Sequence, residues 1–398
     1  MNQNEEKIEI KLMNNPFSKE EINAIESCIQ SGNYTQGEIV KEFERKFAEW
    51  NGSKHAVMVN SGSSANLLII TLLKEYHRLK DDDEVLVPAV TWPTTVYPII
   101  QNNLVPVFCD VDESFNISLE SIKRMTSNKT RAIFLVHLLG QPVNLSGLIE
   151  FCKERGIIIL EDCCEALGAI HSNKKVGTFG EMGSFSFYFG HHMATIEGGM
   201  ITTDNLEIYD LLKSIRSHGW IRDSLRKKNY ERDYEHLEFL FDYMGYNVRS
   251  TNLNAAIGIE QLKKVDDSIF IRKENHKLFH NLMSGDRRFI LQKVNFEENS
   301  SFCLPLILES KEKRNKLLKE LKDYGIESRP VVGGNLLRQP VFSHRLKEKY
   351  RNDQCDFSDR IHYCGMYLPN HQFVTKDNVK YMVQSLGKIL DNYNGAID

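Results

Sequence analysis

The sequence predicts an α/β protein: a mainly parallel sheet covered by helices, with a smaller α+β domain behind it. Three observations carry this. Between residues 56 and 162, short apolar runs of strand length alternate with helix-period segments, the pattern of a parallel sheet with crossover helices. Ser61, Trp92, Asp162 and His191 sit just past the ends of apolar runs, where open α/β sheets place their sites. The length, 398 residues, accommodates a second unit. A boundary in the helical stretch near residue 270 gives a large domain over 1–270, which includes an N-terminal helical segment, and a small one over 271–398.

Along the chain, Ser18-x-x-Glu21 and Thr35-x-x-Glu38 each fit a capping box that opens a helix. The second helix carries Ile39, Phe43 and Phe47 at spacings of four and stops near Gly52. Residues 56–59 read as a buried strand, 60–66 as a Ser- and Gly-rich turn, and an apolar helix starts at Leu67. A strand, such a turn and a helix N-terminus form an anion site, because free N–H groups and the helix dipole converge there. A Ser-rich cap without a ligand fits the same residues.

Strands follow at 84–88, 106–109, 132–136 and 157–160, with helices at 94–101, 119–125 and 145–155 between them. The last of these strands runs into Glu161 and Asp162. Residues 206–216 and 252–283 read as helical, joined by a charged connector over 222–238. A strand at 302–308 and helices at 311–324 and 376–390 make up the small domain.

Composition narrows the class. With 41% hydrophobic and 26% charged residues and a net charge of −4, nothing points to nucleic acid or an anionic membrane as partner. Residues 1–11 are polar and acidic, unlike a secretion signal, and the longest apolar run, near 67–73, is too short to span a bilayer. Eight scattered cysteines form no C-x-x-C pair, and adjacent Cys163 and Cys164 are poorly placed to bond. Reduced thiols in a cytoplasmic protein are expected, with neither an iron–sulfur centre nor another metal.

The most informative stretch runs from Gly183 to Gly199. An alternating apolar strand over 184–189 leads into Gly190, His191 and His192, then Glu197-Gly198-Gly199 and a second strand over 200–203. Glycines on both sides of a polar pair mark close backbone approach. Taken alone, the segment also fits a hairpin with a surface histidine pair.

Together with Ser61-Gly62-Ser63-Ser64-Ala65-Asn66, Pro88-Ala89-Val90-Thr91-Trp92, Glu161-Asp162-Cys163-Cys164-Glu165-Ala166, Ser186-Phe187 and Gly245-Tyr246-Asn247-Val248-Arg249, this stretch resembles the DegT/DnrJ/EryC1/StrS aminotransferase family over nearly the whole chain. The resemblance implies a fold-type I, pyridoxal 5'-phosphate (PLP) enzyme. It implies that Gly62, Ser63, Ser64 and Ser186 hold the cofactor phosphate, that Trp92 stacks on the ring, and that Asp162 pairs with the ring nitrogen. It also implies a homodimer with shared active sites, in which Asn247 reaches the phosphate of the neighbouring cofactor. Read without the family, Trp92 fits core packing, Asp162 a helix cap and Asn247 a turn.

One departure decides more than the match. In the family's aminotransferases, the position five residues after Ser186 and eight before Gly199 is the lysine that binds the cofactor covalently; here it is His191. The spacing makes His192 a neighbour. Imidazole cannot make that bond, but it shuttles protons near neutral pH. The resemblance thus narrows to the 3-dehydratases of 4-keto-6-deoxy nucleotide sugars, in the colitose and ascarylose pathways. Glu165, typically glutamine in the transaminases, and residues 333–340 are similar to that subset. The ascarylose type carries a cysteine-clustered iron–sulfur site, which this chain lacks, so the resemblance implies the colitose type. Such an enzyme uses L-glutamate to form pyridoxamine 5'-phosphate (PMP), releases ammonia, and serves O-antigen synthesis. His191, Asp162 and Glu165 are then the catalytic candidates, and His218, Arg249 and Arg329 the candidate substrate contacts. The residues leave GDP, CDP, dTDP and UDP open; the colitose branch implies GDP-4-keto-6-deoxymannose. An aminotransferase with an atypical site and a non-catalytic sugar-binding homologue are the competing readings.

Overall fold

The computed structural model describes residues 8–394; part of the polar opening stretch, residues 1–7, lies outside the described residues. Helix α1 (Lys19–Ser31) opens on the expected capping box, the Ser18 N–H donating to the Glu21 carboxylate at 2.8 Å. Helix α2 (Glu38–Asn51) corrects the second expectation. Gly37, not Thr35, is its N-cap, and no side chain of its own caps it. Asn252, distant in sequence, takes that role by accepting the Val40 N–H through Oδ1 at 3.3 Å. Helix α3 (Gly62–Tyr76) starts five residues before the apolar run does, because Ser61 caps it by accepting the Ser64 N–H at 3.1 Å. The predicted turn is therefore the first turn of the helix.

The main sheet is built from β1 (His55–Val59), β2 (Glu84–Pro88), β3 (Val105–Cys109), β4 (Thr130–Val136) and β5 (Ile158–Asp162). A short hairpin, β6 (Ile170–His171) and β7 (Lys174–Lys175), separates these from β8 (Met182–Ser186) and β9 (Gly199–Thr203). Connecting helices are α4 (Pro93–Gln101), α5 (Leu119–Met125), α6 (Leu148–Arg155) and α7 (Leu206–Ile215). Two strand ends differ from expectation: β5 includes Glu161 and Asp162, and β8 stops at Ser186.

The helical stretch after residue 252 is two helices, α8 (Asn252–Leu262) and α9 (Val265–Met283). A second sheet then forms from β10 (Phe289–Leu291), β11 (Leu304–Leu308), β12 (Arg329–Pro330) and β14 (Gly365–Leu368), with β13 (Arg351–Asn352) elsewhere. Helices α10 (Lys311–Glu320), α11 (Asp356–Cys364) and α12 (Lys376–Asn394) complete the chain.

The main sheet has the order β1-β9-β8-β5-β4-β2-β3-β13. Only β9 runs against the rest, pairing antiparallel with both β1 and β8. Strands β2 and β9 are buried along their whole length, and in parallel β2 this gives the apolar run Val85-Leu86-Val87. On one face, Phe43 and Phe47 of α2 pack against Phe185 and Phe187 with ring centroids 5.1–5.6 Å apart. Truncating a ring in such a cluster costs about 3–5 kcal/mol. The sheet is thereby held rigid behind the strand that leads to His191.

The chain crosses the boundary expected near residue 270 at both ends, and α9 runs through it unbroken. Ile10 pairs with the small unit, donating its N–H to Gly325 O (2.8 Å) and accepting the Glu327 N–H (2.9 Å). In the other direction, β13 adds to the edge of the main sheet beside β3, and Phe342 is buried in the main core.

Candidate active site

Strands β5 and β8 lie side by side, with Asp162 opposite Ser184 at their carboxyl ends. The Asp162 carboxylate is buried and accepts three hydrogen bonds. Asn66 Nδ2 and Thr95 Oγ1 donate to Oδ2, both at 2.8 Å, and the Cys164 N–H donates to Oδ1 at 3.1 Å. Asn66 is fixed in turn by the Ser184 hydroxyl, which donates to its Oδ1 at 2.6 Å. The same helix thus offers its N-terminus to the site and locks the acid at its floor.

Close approach explains Gly62. A Cβ there would lie 2.6 Å from Ser186 Cβ and 2.9 Å from Cys164 Sγ, so only glycine lets the first turn of α3 meet the end of β8. The result is a small cradle of Gly62, Ser63 and Ser186 at a helix N-terminus.

After Ser186 the chain leaves the sheet. Phe187 donates its N–H to Gly198 O and accepts the Thr195 N–H, each at 2.9 Å, so a wide hairpin carries the histidines. The hairpin read from sequence is present, but it carries the pair inward: His191 is half-buried and His192 buried. The His191 N–H donates to Tyr188 O (2.9 Å), its ring stands edge-on to Phe302 at 5.4 Å, and its Nδ1 is buried without a partner. His192 turns inward instead, donating from Nε2 to Ser300 O at 3.1 Å.

These residues line one cavity of about 490 Å³. Of the sequence candidates, Gly62, Ser63, Trp92, Asp162, Glu165, Ser186, His191 and Arg329 line it. Trp92 is 57% exposed, so it stands at the rim and not in the core. Ser64, His218, Asn247 and Arg249 do not line it within the single chain. Ser64 Oγ donates to Asn60 Oδ1, the His218 N–H donates to Tyr246 O, and Asn247 bridges Ser217. Arg249 faces a separate depression with Lys41, Trp220 and Asp223.

Several contributors were not singled out from sequence. Asn66 and Thr95 act behind Asp162; Asn66 falls one helical turn from Ser63, a signal that a helix start at Gly62 makes visible. Phe302, Cys303, Leu12 and Met13 arrive from distant segments, with no local signal.

Electrostatics separates the titratable groups. Burial and the Arg272 charge push the His191 imidazole down to about 4, and hold His192 well below the ordinary histidine range. Burial raises Glu165 to about 7, with Asp162 adding to the effect and the Leu139 N–H opposing it. A carboxyl raised from about 4.3 when unfolded contributes stability that is full below that value and lost as pH rises through 7. In the cofactor-free protein, Glu165→Gln is expected to gain about 1–3 kcal/mol on wild type between pH 5 and pH 8. Urea unfolding at the two pH values measures it, and an equal difference at both rejects it.

His137, Glu161 and Cys163 converge within 4.8 Å, yet the ligating atoms of Glu161 and His137 are engaged. Glu161 accepts the N–H groups of Gly177, Phe179 and Gly180, each at 2.7 Å. His137 accepts the Val143 N–H at Nδ1, which leaves its Nε2–H to donate to Glu161 at 3.2 Å. This group anchors β5.

The DegT/DnrJ/EryC1/StrS aminotransferase family matches residues 16–387. The chain belongs to this family. Among family members, it is 41% identical to the GDP-4-keto-6-deoxy-D-mannose 3-dehydratase of Escherichia coli O55:H7, covering 92% of this chain and 96% of that one. It is 39% identical to the enzyme of the same name from Yersinia pseudotuberculosis, over 96% and 99% of the two chains. A crystal structure of GDP-4-keto-6-deoxymannose-3-dehydratase with a trapped PLP–glutamate geminal diamine superposes with a TM-score of 0.89 at 40% identity, covering 95% of this chain and all of that one. The fold-type I architecture expected from sequence is thereby borne out.

Proposed function

We propose that this family member is a PLP/PMP-dependent 3-dehydratase of GDP-4-keto-6-deoxymannose, taking electrons from L-glutamate and releasing ammonia, in 3,6-dideoxysugar synthesis. One observation carries the reading: a cavity with Asp162 at its floor and His191 on its wall has no lysine among the described residues that line it. The names of the most similar relatives support the nucleotide and the sugar.

The residues present fit the cofactor. The Gly62–Ser186 cradle suits a phosphate, the triply bonded Asp162 suits a cationic ring N–H, and exposed Trp92 offers a flat face. When bound, the cofactor supplies an electron sink conjugated to the reacting carbon. His191 takes up the proton lost at the glutamate Cα, and later the one whose loss drives out the sugar C3 hydroxyl. Negative charge from a bound phosphate or substrate carboxylate opposes Arg272 and raises the imidazole toward the pH at which it exchanges protons. Glu165, at about 7, is the cavity carboxyl with an available proton near neutrality. Val136, Leu138 and Phe302 exclude water from the wall beside them.

We further infer a cytoplasmic homodimer with shared sites. Asn247, His218 and Arg249 lie outside the chain's own cavity, beside an apolar cluster in which Phe239 is 74% exposed and stacks on Trp220. A second copy covering that cluster brings these side chains to its own cavity, where Asn247 contacts phosphate. All eight cysteines are free thiols, which suits a reducing compartment. No helix of the described residues is long and apolar enough to cross a membrane.

Stoichiometry tests the assignment. Glutamate loses two electrons and the sugar C3 gains them, so each turnover should yield one 2-oxoglutarate, one ammonia and one 3-deoxy sugar nucleotide. Mass analysis that finds the amine retained on the sugar identifies an aminotransferase and rejects the dehydratase.

A further inference from the structure

Helix α9 carries the buried cation that bears on His191. Arg272 is 2% exposed, yet no carboxylate among the described residues pairs with it. The acidic group that bears on its charge is the Cys303 thiol, itself kept neutral by burial. Its hydrogens go to carbonyls: Nη1 donates to Phe302 O at 2.9 Å and to Asn370 O, and Nη2 donates to His191 O at 3.4 Å. Those three residues all line the cavity, and they come from three separate segments. Asn370 closes the arrangement by donating from Nδ2 to Arg272 O at 2.9 Å. A neutral donor can hold carbonyls, whereas burying a cation without an anionic partner is costly. The charge itself therefore has a use.

We propose that Arg272 is a positioning residue that fixes the turn bearing His191 and keeps that imidazole neutral until an anion enters the cavity. This rests on His191 being the proton carrier. Arg272 lies against the His191 turn, with His371 beside the same guanidinium, and Tyr188 and His192 are on the turn itself. The other titratable groups that line the cavity with His191 are Asp162, Cys164, Glu165, Glu197, Cys303, Arg329 and Tyr367. After burial itself, the charge that bears on the ring is the Arg272 guanidinium on its buried side. A cation behind an imidazole disfavours the imidazolium, and the same guanidinium lowers His192 and His371 as well. An anionic ligand in front offsets that field, so basicity arrives with the substrate.

The test is a histidine-ring NMR titration of the full chain without cofactor, with His191→Asn assigning the signal. In wild type the His191 ring should remain neutral down to about pH 5 or below. Arg272→Met should raise its midpoint by about one unit, and Arg272→Lys, which keeps the cation without the three-carbonyl fork, should leave it near wild type. A wild-type midpoint at or above the ordinary value of about 6.5 overturns the proposal without any variant. So does a lysine variant whose midpoint rises as far as the methionine one, because the role is then purely structural. The dehydratase reading fails separately: an amine retained on the sugar, with the midpoint shift intact, removes the function and leaves the Arg272–His191 coupling in place.

Discussion

His191→Asn is expected to slow both halves of the reaction by about 10² to 10⁴, the range for loss of a general acid–base group. Stability should change little, because the ring stands at the cavity wall with Nδ1 unpartnered. His192→Asn is expected to do the opposite. Its imidazole is buried and donates to Ser300 O, so the loss appears as about 1–3 kcal/mol of stability. Single-turnover kinetics with glutamate, beside thermal unfolding of both variants, separates the two effects; reversed severities would make His192 the proton carrier. His191→Lys extends the test. An exposed lysine amine has a pKa of about 10.4, but burial and Arg272 lower it and leave the new amine nucleophilic. We expect dehydratase activity to be lost and borohydride to fix cofactor to the variant, whereas wild-type protein releases it on dialysis.

Asp162→Ala should produce the second large effect. Removing the carboxylate strands the Asn66 amide, the Thr95 hydroxyl and the Cys164 N–H, and takes away the counter-charge for a protonated ring. Breaking a buried charge pair of this kind costs about 3–5 kcal/mol, or roughly 10²- to 10⁴-fold in cofactor affinity. Asp162→Asn, similar in shape, should be nearly as impaired, since an amide NH₂ then meets donors. Fluorescence titration with PMP measures both, and wild-type affinity in either variant dismisses the role assigned to Asp162.

The main sheet was legible because buried parallel strands leave unbroken apolar runs, as in Glu84–Pro88. Helix starts were less legible. The Thr35 capping box fails because Asn252 supplies the cap from far along the chain, and no local pattern records such a partner. The end of β5 was blurred because polar Glu161 and Asp162 still occupy ladder positions, and that of β8 because apolar Phe187 to Phe189 continue past the ladder. For the site, floor and turn were readable from one strand–turn–helix passage and the His191 substitution. Asn66, Thr95, Phe302 and Arg272 were not, because their relevance comes only from what folding places behind Asp162 and His191.

The exchanges across residue 270 make the two sheets interdependent. Ile10 pairs with residues 325–327 beside the small sheet, Leu12 and Met13 line the cavity, and Pro16 O accepts from Gln261 Nε2. In return, β13 finishes the edge of the large sheet. A fragment cut at residue 270 would carry an orphaned leader and an uncovered β3, and the remainder would lose the segment that seals its rim. Swapping the C-terminal part between relatives to alter sugar choice would succeed only if residues 8–17 and 333–355 travelled with the halves on which they lie.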